Sequence, residues 1–209
     1  GALAAAVSLL HDSRYRECAR QAAEYYARFI EDEFLYGAAE DHYLIPTCED
    51  GYCALVSYLL LYELDHAPRW LDLARRAADW ALTFRYTYNV VFPRTTLLGH
   101  YDFKTRGGDA VSPASHALRG ATLGAYAELL KLATYTGDSY YQRAAEEARI
   151  HHLQFIARED GDFGARRGIT PNQFHQTDWQ QPKGGLLTIS HTIRAAQVLT
   201  ASLASRLIS

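Results

Sequence analysis

Cleavage of a glycosidic bond calls for two carboxyl groups about 5–9 Å apart, one as acid and the other as nucleophile or base. The chain places its candidate acids in three polar stretches: Asp50 in Thr47-Cys48-Glu49-Asp50-Gly51-Tyr52, Asp102 and Asp109 in residues 100–109, and Asp178 in residues 172–185. Asp109 as general acid and Asp50 as base form the preferred pair, with Asp102 and Asp178 in reserve. The same stretches carry His100, Arg106, His175, Trp179 and a run of amides, and His116 follows shortly after. Amides, carboxylates, guanidinium groups and flat aromatic rings are what a sugar needs for recognition. Asp102, Arg106, His116, His175, Asp178 and Trp179 are therefore the expected sugar-binding set. Arg94, Lys104, Arg106 and Lys183 lean towards an anionic sugar such as a uronate.

Each of these residues has a plainer reading. Glu49 and Asp50 can simply cap a helix. Asp102 and Asp109 can pair with Arg106 to order a loop. His116 and His191 can be satisfied core residues. Other chemistries lack their signatures: there is no Gly-x-Ser-x-Gly elbow and no His-Glu-x-x-His zinc helix. The Gly107-Gly108 and Gly184-Gly185 pairs do not have phosphate-loop spacing. Cys18, Cys48 and Cys53 sit at no known ligand spacing and read as unbridged, mostly buried thiols, which leans towards a reducing cytoplasmic compartment. No cofactor and no metal are expected; zinc on Cys48, Cys53 and a loop histidine is the weaker alternative.

Something must position these groups, and a motif that occurs three times shows what. Tyr15, Ala19, Ala22, Tyr25 and Phe29 recur 55 residues later as Trp70, Ala74, Ala77, Trp80 and Phe84. After a further 71 they recur as Tyr141, Ala145, Ala148, His151 and Phe155. Such self-similarity decides an architecture before any single motif does. Apolar residues at spacings of three and four predict helices over residues 2–10, 13–33, 50–65, 68–85, 113–136, 138–157 and 185–207. Ser13, Ser139, Pro68 and Ser112-Pro113 mark starts and Gly137 marks an end. Residues 88–92 are a short β-prone run.

Short connections near Asp12, His66 and Gly137 alternate with long ones over 34–49, 86–112 and 158–184. Because hairpin helices alternate in direction, the tight corners fall at one end of the array and the long loops at the other. Long loops in a compact domain are usually functional. Neighbouring helices pack about 8–10 Å apart, so carboxylates at the starts of adjacent inner helices would face each other across a workable gap.

The small or acidic turn, the Tyr or Trp and the Ala-rich stripe that open each even-numbered helix resemble the second helix of hairpins in (α/α) toroids. The pattern is similar to that of the six-hairpin glycosidase superfamily, which includes glycoside hydrolases and polysaccharide lyases. The resemblance implies an all-α toroid or partial toroid, with even-numbered helices outside and odd-numbered helices inside. The seven segments would make just over half of a ring, leaving the rest to another segment, to self-association or to an open arc. It implies a carbohydrate as partner and hydrolysis as the reaction. A lyase of the same architecture, with Tyr101 or His175 as base, and a non-catalytic helical scaffold are the alternatives.

Bulk properties agree with one helical-hairpin domain over residues 1–209. The 209 residues are 48% hydrophobic and 22% charged, enough for a sizeable core. A net charge of −3 without charge runs argues against a nucleic-acid partner. The apolar runs over 3–10 and 54–61 are too short to span a membrane. The small-apolar opening residues lack a basic segment ahead of them and read as helix rather than signal peptide. The chain contains no methionine, so it is expected to be processed or part of something longer.

Overall fold

A computed structural model describes residues 1–10, 12–32, 45–113, 117–119, 124–171, 173–175, 192–193 and 195–200. The fold is all-α in class, built of helical hairpins with one small sheet. In chain order its elements are α1 (Ala2–Leu10), α2 (Ser13–Asp32), α3 (Cys48–Asp65), α4 (Pro68–Leu82), α5 (Leu97–His100), β1 (Asp109–Ala110), β2 (Ala117–Arg119), α6 (Tyr126–Thr136), α7 (Ser139–Leu153) and β3 (Gln173–His175). Residues 195–200, inside the predicted last helix, are also helical. No helix among the described residues is long and apolar enough to cross a membrane. The chain divides into two compact units: Gly1–Phe84 with Glu128–Gln142, and Arg85–Ala127 with Arg143–Ser209.

In the first unit the corners follow from local chemistry. Thr47 caps α3, its hydroxyl accepting from the Asp50 N–H at 3.3 Å. His66 ends α3 in the left-handed region at φ 55°, its N–H reaching the Tyr62 carbonyl at 2.7 Å. Pro68 then starts α4, where its missing N–H costs nothing. Asp65 holds this corner together: its carboxylate accepts from the Ala67 N–H at 3.1 Å and the Trp70 indole N–H at 3.2 Å, and pairs with Arg20 at 3.3 Å. Between α6 and α7, Gly137 adopts φ 72° and Asp138 accepts from the Tyr140 N–H at 2.8 Å.

The recurring aromatic that opens each motif is buried where it closes a corner: Trp70 is 3% and Tyr141 2% exposed. Trp70 stacks on Tyr58 at 6.0 Å, and the Tyr58 hydroxyl donates to the Ala23 carbonyl. Tyr141 donates to Asp79 at 2.8 Å. Burial raises the pKa of both phenols, and the Asp79 carboxylate pushes Tyr141 further the same way. The alanine stripe lets helices approach closely. A Cβ on Gly51 of α3 would lie 2.8 Å from the Ala81 Cβ and 2.9 Å from the Ala77 carbonyl oxygen of α4.

In the second unit the core is aromatic: Phe103, Phe155, Phe163 and Phe174 pack with Leu98 and Leu118, every one of them buried. Residues 85–109 fold back on themselves. Tyr86 exchanges backbone hydrogen bonds with Gly107 and Gly108, and the buried Thr105 hydroxyl donates to the Tyr88 carbonyl while accepting from the Val90 N–H.

Three expectations need correcting. Of the helix predicted over 113–136, Tyr126–Thr136 is α-helix, whereas Ala117–Arg119 is β2, hydrogen-bonded between two other strands. Residues 88–92 are not strand, and four residues at 97–100 form a helix capped by Thr96 that periodicity cannot detect. The thiols are unbridged, but Cys18 and Cys53 are exposed and only Cys48 is buried.

Candidate functional site

The small sheet carries two of the predicted site residues, Asp109 and His175. Its order is β1-β2-β3, antiparallel throughout. Asp109 pairs with Arg119, and Arg119 with Gln173; two residues along, Ala117 pairs with His175. Ala110, Leu118 and Phe174 form the alternate row, and Leu118 and Phe174 are fully buried in the aromatic core. Strand alternation thus separates an apolar row from a row that holds Asp109, Arg119 and Gln173. Cross-strand partners stand about 4.5–5.5 Å apart at Cβ, which brings the Asp109 carboxylate within reach of Arg119. Asp109 and His175, 66 residues apart in sequence, are drawn onto one sheet through β2. Asp109 is 0% exposed, so a ligand reaches it only if what covers it moves.

The turn leading into β1 is tied down by a residue the sequence reading missed. Glu147 of α7 pairs with Arg85 at 3.0 Å and with Arg106 at 2.6 Å. Arg85 is almost wholly buried and Arg106 more than half exposed. Arg106 is thus held by Glu147, not by Asp102 or Asp109, and keeps an open flank. Gln154 adds a second clamp, accepting from the Lys104 N–H and donating to the Lys104 carbonyl, both at 2.8 Å. Asp102 stands in the left-handed region at φ 53°, which aspartate tolerates, and its exposed carboxylate pairs with Lys104 at 2.7 Å. Gly107 and Gly108 lie against α7: a Cβ on Gly108 would collide with His151 Nε2.

His151 is 3% exposed and packs edge-on against Phe155 at 4.9 Å. Its Nδ1 contacts the Gln154 amide at 3.0 Å, and its Nε2 has no hydrogen-bond partner among the described residues. Burial above all, then the neighbouring His152, pulls its pKa down from 6.5 to about 3, so the ring is neutral. Tyr101, a candidate lyase base, has its ring against Phe163 at 4.5 Å and its hydroxyl accepts from the Phe163 N–H.

Asp50 belongs to the first unit. It sits in the first turn of α3, where its carboxylate accepts from the Thr47 hydroxyl at 2.8 Å in a reciprocal cap. It also lines a groove of about 590 Å³ between α2 and α3, with α1 at one end. One wall is Ala22, Tyr26 and Phe29 of α2; the other is Asp50, Cys53 and Ser57 of α3. The motif leads one to expect Tyr25 and Phe29 to be packed like Trp80 and Phe84. They are 53% and 38% exposed, with the Arg28 guanidinium over the Tyr25 ring at 4.0 Å.

His116, Asp178 and Trp179 lie outside the described residues. For His175 only the backbone position is described. Among the described residues no three His, Cys, Asp or Glu side chains gather in a way that could hold a metal ion. No protein-family model matches the chain, and no curated protein matches it either.

Proposed function

We propose that the chain is a carbohydrate-active module of (α/α) toroid type that hydrolyses a glycosidic bond in a glycan, in particular one containing uronic acid. The observation that carries this reading is the sheet register, which brings Asp109 and His175 from two long connections onto the strands that flank Arg119. A carboxylate, a guanidinium and an imidazole supplied by separate loops are a set suited to an acidic sugar. Asp109 serves as general acid, with Asp102, Arg106, His116, His175, Asp178 and Trp179 contacting the sugar; Asp50, the base expected from the sequence, belongs to the first unit. Since Asp109 is buried, its role requires its cover to open when the glycan arrives.

The test is hydrolysis of a polysaccharide panel by Asp50→Asn and Asp109→Asn variants whose circular dichroism matches wild type. Removal of an acid or base is expected to cut turnover by about 10²–10⁴-fold. Undiminished turnover by both folded variants would end the proposal.

A further inference from the structure

Each repeat places a ring at one position of its second helix: Tyr25, Trp80 and His151. Only the third can change charge near neutrality. It also faces the segment that leads into Asp109. Two side chains of the same stripe meet that segment: Glu147, one turn earlier on α7, and Gln154, just past its end. Glu147 holds the Arg106 side chain at 2.6 Å, and Gln154 holds both backbone groups of Lys104 at 2.8 Å. His151 is wedged between them. A Cβ on Gly107 would stand 2.5 Å from the Glu147 carbonyl oxygen and 3.1 Å from the His151 Cβ, and one on Gly108 would meet the ring itself.

Three contacts fix which ring nitrogen carries the hydrogen. Gln154 Oε1 accepts from the Lys104 N–H and its Nε2 donates to the Lys104 carbonyl, so the amide has one orientation. That same Nε2, 3.0 Å from His151 Nδ1, can only donate. Nδ1 is therefore the acceptor, and Nε2 carries the hydrogen. A second proton has to go onto Nδ1, where it would point at the Gln154 amide hydrogens. Turning the amide over would relieve the ring. It would also set the amide oxygen against the Lys104 carbonyl and the amide hydrogens against the Lys104 N–H. The ring cannot become charged while Gln154 holds Lys104.

The surrounding charges point the same way. Arg85 and His152 both oppose a proton on the ring, while the backbone carbonyls of Arg106 and Lys104 favour one. Glu147, the carboxylate one turn back, is already shared by Arg85 and Arg106. The Lys104 ammonium is engaged by Asp102 at 2.7 Å, and Asp109, next to Gly108 in sequence, is wholly buried. Phe155, and Leu118 of β2 where it crowds Gly108, are apolar.

We propose that His151 is the trigger of an acid-operated latch: a proton taken from water onto Nδ1 breaks the Gln154–Lys104 clamp and frees residues 104–108 from α7. These residues run directly into Asp109, so their release is the cover movement that a ligand of Asp109 needs. The latch itself does not depend on the glycan reading, and amide exchange rather than turnover tests it.

The amides of Lys104, Arg106, Gly107 and Gly108 are all hydrogen-bonded, so their exchange with solvent reports release. Protection is measured in the full chain relative to intrinsic exchange rates. Between about pH 8 and about pH 5 the freed ring, titrating at its ordinary 6.5, should raise the released population about thirtyfold. The Ala157 and Gly168 amides, bonded in another turn of the same unit, report general loosening and should change by less than about threefold. His151→Phe keeps a ring at the motif position, removes the titration and should abolish the response, whereas His152→Gln should keep it. The wild-type comparison needs no variant, so it stands even where His151→Phe fails to fold. Equal changes at the two sets of amides, or no change at 104–108, would overturn the proposal. So would a response that survives in His151→Phe or is lost in His152→Gln.

Discussion

Alanine at position 51 pits two effects of known size against each other. In an exposed helix interior, glycine to alanine gains about 1 kcal/mol because the unfolded chain loses freedom and the helix gains a good former. At Gly51 the added methyl would stand 2.8 Å from the Ala81 Cβ and 2.9 Å from the Ala77 carbonyl oxygen. Ordinary contact distances are longer by roughly half an ångström or more. The oxygen belongs to the α4 backbone, so a rotamer change cannot relieve the clash, and the two helices must separate. Overpacking of this kind costs about 1–3 kcal/mol. The net expectation for Gly51→Ala is a loss of up to about 2 kcal/mol, which for a chain of this size lowers the midpoint of thermal unfolding by up to about 8 °C. Urea unfolding followed by circular dichroism gives the free energy directly. Gly137→Ala is the comparison: nothing lies within 4 Å, and its loss of about 1 kcal/mol comes from the left-handed backbone at φ 72° alone. If Gly51→Ala is more stable than wild type by about 1 kcal/mol, the full gain of an exposed helix position, α3 and α4 are not in contact through this glycine, and the close packing inferred for the hairpin is refuted.

Further outcomes follow from the second unit and the caps. Glu147→Ala strips the partner from the almost buried Arg85 and releases Arg106; a loss of about 2–3 kcal/mol is expected in urea unfolding, with faster amide exchange over residues 85–108. His151 is neutral in the fold, with its pKa lowered to about 3, while the unfolded chain binds a proton below pH 6.5. Its contribution is therefore whole above pH 6.5 and shrinks as pH falls towards 3, by up to about 1.4 kcal/mol per pH unit. His151→Leu should flatten the stability-against-pH curve between 6.5 and 5, and an unchanged slope would remove His151 as its source. Thr47→Ala removes the α3 cap and should cost about 1 kcal/mol, read as a shift in the urea midpoint.

Hairpin corners were legible because their chemistry is local. Pro68, Gly137 and Asp138 act within a few residues of themselves, and α4 and α7 start where those residues place them. The sheet was not legible. Ala117-Leu118-Arg119 is too short to show a period, and its strand character comes from partners at 109–110 and 173–175. Pro113 reads as a helix start, and tertiary pairing overrides it. The same holds for the site: Asp109 was found by residue type, but its pairing row with Arg119 and Gln173 depends on contacts between distant segments. Glu147 was missed for the same reason, since nothing near it in sequence announces two arginines from residues 85–106. Asp50 takes the plainer of its two readings, a cap on α3, and it also faces a groove that no sequence pattern announces. Equivalence by repeat also has limits. Tyr25 and Trp80 occupy the same motif position, yet Tyr25 is 53% exposed while a Cβ on Gly51 of α3 would stand 3.0 Å from the Trp80 ring.

The claim that this fold cleaves glycans with water is tested most directly by digesting a uronate-containing polysaccharide in water labelled with heavy oxygen and weighing the products. One labelled oxygen at each new chain end, lost in the Asp109→Asn variant, is the expected result. Absence of cleavage across the panel, or products with a new double bond and no label, would contradict it.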